Sequence, residues 1–204
     1  MGKQTRLPFK RSSWRAVEKL HLVHIDVCGL ILVESLNGSR HFVILIDDYS
    51  RMCWIHFSKA KCEVFEAFQR FKNLVENESG CKIQAIRSDN VSEYTSNGFK
   101  AMCEEFGIHH QFTMPYSPQQ NGVSKRKNMS IMEMARCLLQ EKGLPKKFWA
   151  KAANTAVFLL NRLPTKAVDK KTPLGAWSAS YEEAKEDKKW RTGMQEELSM
   201  IEKN

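Results

Sequence analysis

The spacing of apolar residues changes along this chain, and that change limits what it can fold into. His21–Val27, His41–Asp47 and Met52–Ser58 are short runs rich in Val, Ile, Leu and Phe, the composition of strands. An Asn-Gly step within Glu34-Ser35-Leu36-Asn37-Gly38-Ser39, and the polar run Asp47-Asp48-Tyr49-Ser50-Arg51, supply the turns between them. The three runs therefore predict an antiparallel meander. From residue 61 the period lengthens. Val64, Phe65, Phe68, Phe71, Leu74 and Val75 recur every three or four residues, predicting an amphipathic helix that Gly80 ends. Lys82–Ser88 predicts a fourth strand, Phe99–Phe106 a helix closed by Gly107, and Ile108–Thr113 a fifth strand. Pro115–Gly122 reads as a loop, followed by helical spacing over Val123–Glu141 and Lys146–Arg162. Three strands, a helix, a strand, a helix, a strand and then helices predict an α/β fold: a mixed five-stranded sheet flanked by helices.

The same pass divides the chain into a basic lead-in at residues 1–20, a core domain at 21–162, a linker at 163–180 and a helical tail at 181–204. The tail repeats apolar residues at Ala184, Trp190, Met194, Leu198 and Ile201, so an extra C-terminal helix is expected. No apolar run approaches the ~20 residues that span a bilayer, and no membrane partner is expected. Six scattered cysteines without a C-x-x-C pair suggest neither a disulfide framework nor a zinc site. The nucleus is the expected location if the chain functions, and the cytoplasm otherwise.

Charge is distributed unevenly. Residues 1–20 carry a local +5, residues 21–120 a local −3 and residues 121–151 a local +6. Two basic segments flanking a mildly acidic body suit a surface that meets phosphate. The competing reading is a pair of solvated basic faces.

Two acids occupy useful places in the element order. Asp26 lies near the end of the first strand and Asp89 just past the fourth. If those strands are neighbours, the carboxylates meet at one edge of the sheet. Hard divalent cations take such oxygen ligands, and two metals ~4 Å apart serve both the attacking and leaving oxygens of a phosphodiester. A helix starting near residue 123 would bring Lys125 to the same edge. Asp47 and Asp48 sit in a turn and are expected to be turn residues rather than ligands.

Several words along the chain match one family in order. They are Gly2-Lys3-Gln4 with Pro8-Phe9, His24-Ile25-Asp26-Val27-Cys28-Gly29, Ile46-Asp47-Asp48-Tyr49-Ser50-Arg51 and Arg87-Ser88-Asp89-Asn90. They continue through Pro115-Tyr116-Ser117-Pro118-Gln119-Gln120-Asn121-Gly122-Val123, Arg126-Lys127-Asn128, Met132-Glu133-Met134-Ala135-Arg136, Phe148-Trp149-Ala150 and Leu159-Leu160-Asn161-Arg162. With these, residues 2–178 resemble the integrase core of copia-type LTR retrotransposons. The resemblance implies a ribonuclease-H-like fold and a polynucleotidyl transferase site that uses magnesium or manganese to trim and join DNA ends. It makes Asp26 and Asp89 the first two catalytic acids and metal ligands. It places Gln119, Gln120, Asn121, Arg126 and Lys127 on DNA, and it allows a homo-oligomer. The family's zinc module usually lies upstream of the Gly-Lys-Gln word, so no zinc is expected within these residues. Tyr181-Glu182-Glu183-Ala184 and Met194-Gln195-Glu196-Glu197 resemble the opening of the reverse transcriptase region of the same polyprotein.

The chain departs from the family at its third acid. The usual glutamate falls at Lys125. An ammonium ~4 Å from a divalent cation is repelled by several kcal/mol even at an effective dielectric of ~20. Impaired catalysis is therefore expected, with Lys125 pairing to Asp26 or Asp89 in place of the metal. Glu133 lies eight residues on, ~12 Å along a helix, too far to substitute. Glu93 is the nearer alternative. The second functional reading is a non-enzymatic DNA- or RNA-binding module, either a remnant or a domesticated fragment.

Overall fold

The computed structural model describes residues 15–89, 92–113, 121–168 and 171–178, with backbone alone at Ser92 and Glu93. Most of the basic lead-in, Gln119, Gln120 and the helical tail lie outside the described residues. Five strands form one sheet in the order β3-β2-β1-β4-β5. They are β1 (Val23–Cys28), β2 (His41–Asp47), β3 (Cys53–Ser58), β4 (Ala85–Ser88) and β5 (His109–Phe112). The meander pairs β1 with β2 and β2 with β3 antiparallel, while β4 joins β1 and β5 joins β4 in parallel. The sheet is mixed because the connections to β4 and β5 run through helices α1 (Val64–Ser79), α2 (Ser92–Thr95) and α3 (Asn97–Glu105).

The central strand explains the two-layer packing. Every residue of β2 is buried. Its Val43 and Leu45 join a core with Phe68, Phe71 and Val75 of α1. Its Phe42, Ile44 and Ile46 join a second core with α4 (Gly122–Glu141) and α5 (Trp149–Arg162). Alternation along one strand thus feeds both faces of the sheet, each buried Phe or Ile contributing about 1.5–3 kcal/mol. Gly80 closes α1 at φ 69°, its N–H donating to the Glu76 carbonyl, as a left-handed cap requires.

The stretch expected as an extended linker contains a short helix, α6 (Pro173–Trp177). Thr172 caps it by accepting from the Gly175 N–H at 3.0 Å. Trp177 is buried against Trp54, with ring centroids 4.8 Å apart, and donates to Glu78 Oε1 at 3.2 Å. Two prolines and three lysines mark the stretch as a loop in sequence, and the packing of one tryptophan overrides that signal. Among the described residues no helix is long and apolar enough to cross a membrane.

Candidate active site

Two strand ends and one helix start meet at the candidate site. β1 and β4 are parallel neighbours in the register Val23↔Ile86 and His24↔Arg87. Continuing that register by two residues sets Asp89, the first residue past β4, beside Asp26. His24, Asp26 and Cys28 alternate with Val23 and Ile25, so they face the α4 side of the sheet while the valine and isoleucine face α1. Asp26 is only 6% exposed.

Helix α4 supplies the partners of Asp26. Asn128 donates from Nδ2 to Asp26 Oδ2 at 2.7 Å, and Asn121 from Nδ2 to Oδ1 at 3.3 Å. The two asparagines stand seven residues apart, two helical turns, and so share one face. Both are buried, with the Oδ1 of each amide lacking a hydrogen-bond partner. Burial pushes the Asp26 carboxyl up to about 7, the nearby Asp89 charge adds to this, and Lys125 and the Asn128 hydrogen bond oppose it. Asp26, Asp89 and Lys125 therefore share one electrostatic neighbourhood.

Of the two partners expected for Lys125, Asp26 or Asp89, Asp26 is held instead by two amides. The two amides engage the Asp26 oxygens, and the ammonium acts on that carboxylate through its field. The physical reason is position: residues 121, 124 and 128 occupy the buried face of α4, whereas Lys125 is half-exposed at its flank. Asn128 had no role in the sequence reading beyond its motif. The signal that marks it is a polar residue seven positions from Asn121, on the face that carries Ile131 and Ala135.

The donor set is one anionic oxygen short of what a pair of divalent cations takes. Two carboxylates, one of them half-neutral near pH 7, stand with an ammonium. The amide oxygens of Asn121 and Asn128 are uncharged and do not replace a carboxylate's charge. Among the described residues no three His, Cys, Asp or Glu side chains form a metal cluster. Glu133 lies on the same unbroken helix as Lys125, and the side chain of Glu93 is outside the described residues.

Of the expected DNA contacts, Asn121, Arg126 and Lys127 are among the described residues and fall around the same helix start. Asn121 is inside the site, bonded to Asp26. Arg126 is exposed, and its guanidinium lies against Gly122, where an added Cβ would stand 3.1 Å from Nη1. Half-buried Lys127 lies within electrostatic reach of the Cys53 thiol. Arg51 feels both Arg15 and Arg126, so positive charge continues from α4 to the turn between β2 and β3.

The Asp-Asp turn serves the fold. Asp47 accepts from the Leu20 and Ser50 N–H groups at 2.9 and 2.7 Å and from the Ser50 hydroxyl at 2.6 Å. Asp48 accepts from His24 Nε2 at 2.9 Å, from the Ala16 N–H at 2.9 Å and from Arg51 at 3.0 Å. Burial pushes the Asp48 carboxyl up, but the His24 and Ala16 hydrogen bonds and Arg51 outweigh it and hold it at about 2. These acids tie the meander to the segment before β1 and lie away from the Asp26 neighbourhood.

Comparison with known proteins converges on one family. The model of the integrase core domain matches residues 16–118. The Retrovirus-related Pol polyprotein from transposon TNT 1-94 of Nicotiana tabacum is 45% identical over 177 residues, covering 87% of this chain and 13% of that protein. Its counterpart from transposon RE1 of Arabidopsis thaliana is 35% identical over 176 residues, covering 85% and 12%. The chain thus spans about one-eighth of the length of these curated relatives. In fold it is similar to a chain of the simian T-cell lymphotropic virus intasome in complex with PP2A regulatory subunit B56 gamma, with a TM-score of 0.68, 19% identity, and coverage of 87% and 61%. It is also similar to the HTLV-2 integrase catalytic core domain in complex with magnesium, with a TM-score of 0.60, 22% identity, and coverage of 79% and 99%.

Proposed function

The chain belongs to the integrase core family, and from that premise we propose that it binds DNA through the start of α4 but no longer carries out metal-dependent strand transfer. The observation that carries this reading is Lys125 in the neighbourhood of Asp26 and Asp89. Loss of a carboxylate and gain of an ammonium changes the local charge by two units. Magnesium or manganese binding is weakened accordingly, because the ion meets net charge near −1 where the family presents −3.

DNA affinity survives because it rests on other groups. Arg126 and Lys127 meet phosphate, Arg51 and Arg15 extend the positive surface, and Gln119, Gln120 and Asn121 hydrogen-bond sugar or base edges. Asn121 is fully buried and one of its N–H groups is engaged by Asp26, which makes it the weakest member of that set. The second reading, a non-enzymatic DNA- or RNA-binding module, shares this surface and differs only in history and strand preference.

The test is a magnesium titration on the wild type and Lys125→Glu, read by strand transfer on an end-matched duplex and by duplex affinity over a salt series. The wild type is expected to bind duplex with a log–log salt slope of a few units and to show no magnesium-dependent turnover. Lys125→Glu is expected to regain magnesium binding, and Arg126→Ala to reduce the salt slope by about one. Turnover by the wild type refutes the loss of catalysis. Failure of Lys125→Glu to recover magnesium binding shows that the lost acid is not the sufficient cause. Tighter binding to single-stranded RNA than to duplex DNA favours the second reading.

A further inference from the structure

A second surface lies at the far end of α4. The loop after β1 and the corner between α4 and α5 enclose a groove of about 660 Å³. Ile31, Leu32 and Val33 form one wall, Leu139 and Leu144 the other, and Trp149 the floor. This volume falls within the ~300–1,000 Å³ range of ligand sites. Leu32 is 86% exposed and Leu144 46%. Adjacent exposed apolar side chains with a polar rim mark interaction surfaces.

The groove is held open by the fold. Ile31 N–H donates to the Arg40 carbonyl at 2.9 Å, and Leu36 N–H to the Lys147 carbonyl at 3.2 Å. Trp149 Nε1 donates to the Val33 carbonyl at 2.9 Å, binding floor to wall. Leu144 N–H donates to the Leu139 carbonyl at 2.9 Å, fixing the opposite wall.

Charge and polarity select the occupant. Arg136 and Lys146 stand on the rim, and among the described residues no acidic side chain lines the groove. The indole N–H on the floor already has its acceptor. Phosphate and base edges would find cations above but a lining that is mostly apolar, with Gln140 its one uncharged polar side chain, whereas large apolar side chains match Ile31, Leu32, Leu139, Leu144 and Trp149. We propose that this groove docks a peptide segment of a partner protein that carries one or two large apolar side chains flanked by Asp or Glu. Arg136 is eight residues past Asn128, ~12 Å along the helix, so the docked segment leaves the Asp26 site open. The proposal does not depend on whether that site binds DNA or metal.

The test begins with a random 12-residue peptide library displayed on phage and selected against the full chain. An enriched peptide is then synthesised and measured by fluorescence polarisation. The consensus is expected to combine an aromatic or branched aliphatic residue with two or more acids. Leu32→Glu, and separately the Arg136→Glu/Lys146→Glu double variant, should each weaken it at least tenfold. Replacing the peptide's acids by lysine should recover binding to the double variant. Unchanged thermal melts establish that the variants fold, as surface positions allow. The proposal is overturned if no selected peptide is weakened by both variants. It is equally overturned if the double variant instead loses duplex affinity, which makes the rim a nucleic-acid surface. It also fails if sedimentation shows a wild-type dimer that Leu32→Glu separates, since the occupant is then a second copy of the chain.

Discussion

Replacing Asp26 by asparagine should stabilise this protein at neutral pH in metal-free buffer. Asp26 is buried, and that burial, with Asp89 nearby, pushes its carboxyl up to about 7 from the ordinary carboxylate value of 3.8. A raised acid pKa means that the folded state holds its proton through a window in which the unfolded chain has released it. The stabilising contribution is fully present below pH ~4 and is lost as pH rises through 7. Three units of difference correspond to about 4 kcal/mol at ~1.4 kcal/mol per unit, good to about one unit of pKa. Between pH 5 and pH 8 the wild type should lose roughly 2.5 kcal/mol that an asparagine cannot lose. The amide fits the same contacts. Its oxygen accepts from Asn128 Nδ2, and its N–H finds the unpartnered Asn121 Oδ1 once that amide turns over. Urea denaturation of both proteins at pH 5 and pH 8, with EDTA present, isolates the term because every other titrating group is common to the pair. The reasoning is refuted if Asp26→Asn destabilises at pH 8, or if the difference between the proteins does not change with pH.

The Asp48 network should behave with the opposite sign. Its depressed carboxyl contributes about 2.5 kcal/mol above pH ~4, lost as pH falls toward 2, and Asp48→Ala should cost ~3–5 kcal/mol at pH 7 by stranding Arg51 and His24, both read from urea midpoints. Asn161→Ala should cost ~2 kcal/mol in the same assay, because Asn161 accepts from the Cys53 N–H at 3.0 Å and donates to its carbonyl at 2.8 Å. Lys125→Glu should melt below the wild type in EDTA and recover on adding magnesium, while the wild-type melt ignores the ion. Equal melts in both conditions would show that residue 125 does not sense the site.

The architecture was readable because its signals are local. Strand runs, the Asn-Gly turn and the helical period each act within a few residues. The mixed sheet follows from their order, and the observed β1–β4 neighbourhood is what brings Asp26 and Asp89 together. Trp177 was not readable, since its burial depends on Trp54, more than a hundred residues away and itself packed on Phe71. The Asp26 clamp was half readable. Asn121 and Asn128 announce a shared helical face, but only the tertiary contact of α4 with β1 shows that this face carries amides onto a carboxylate. The family words divide in the same way. Asp47, Asp48 and Asn161 lie in those words and turn out to fasten backbone, with His24 bonded to Asp48, whereas the words that carry Asp26, Asp89, Asn121 and Asn128 meet the site, and Lys125 falls between two of them.

That division explains how the fold can persist while the site changes. Position 125 is at the flank of α4, and Ser124, Asn128, Ile131 and Ala135 fill the buried face, so exchanging its side chain disturbs no packing. Without an ion, a glutamate there adds a third anion to a neighbourhood in which Asp89 already raises the Asp26 carboxyl. Like charges brought together in a poorly hydrated place destabilise the folded chain. A divalent ion offsets that repulsion and makes the acid worth keeping. On the proposed reading, a lysine offsets it without an ion and repels one. On that reading, stability and metal chemistry pull position 125 in opposite directions, and a site without metal favours the ammonium.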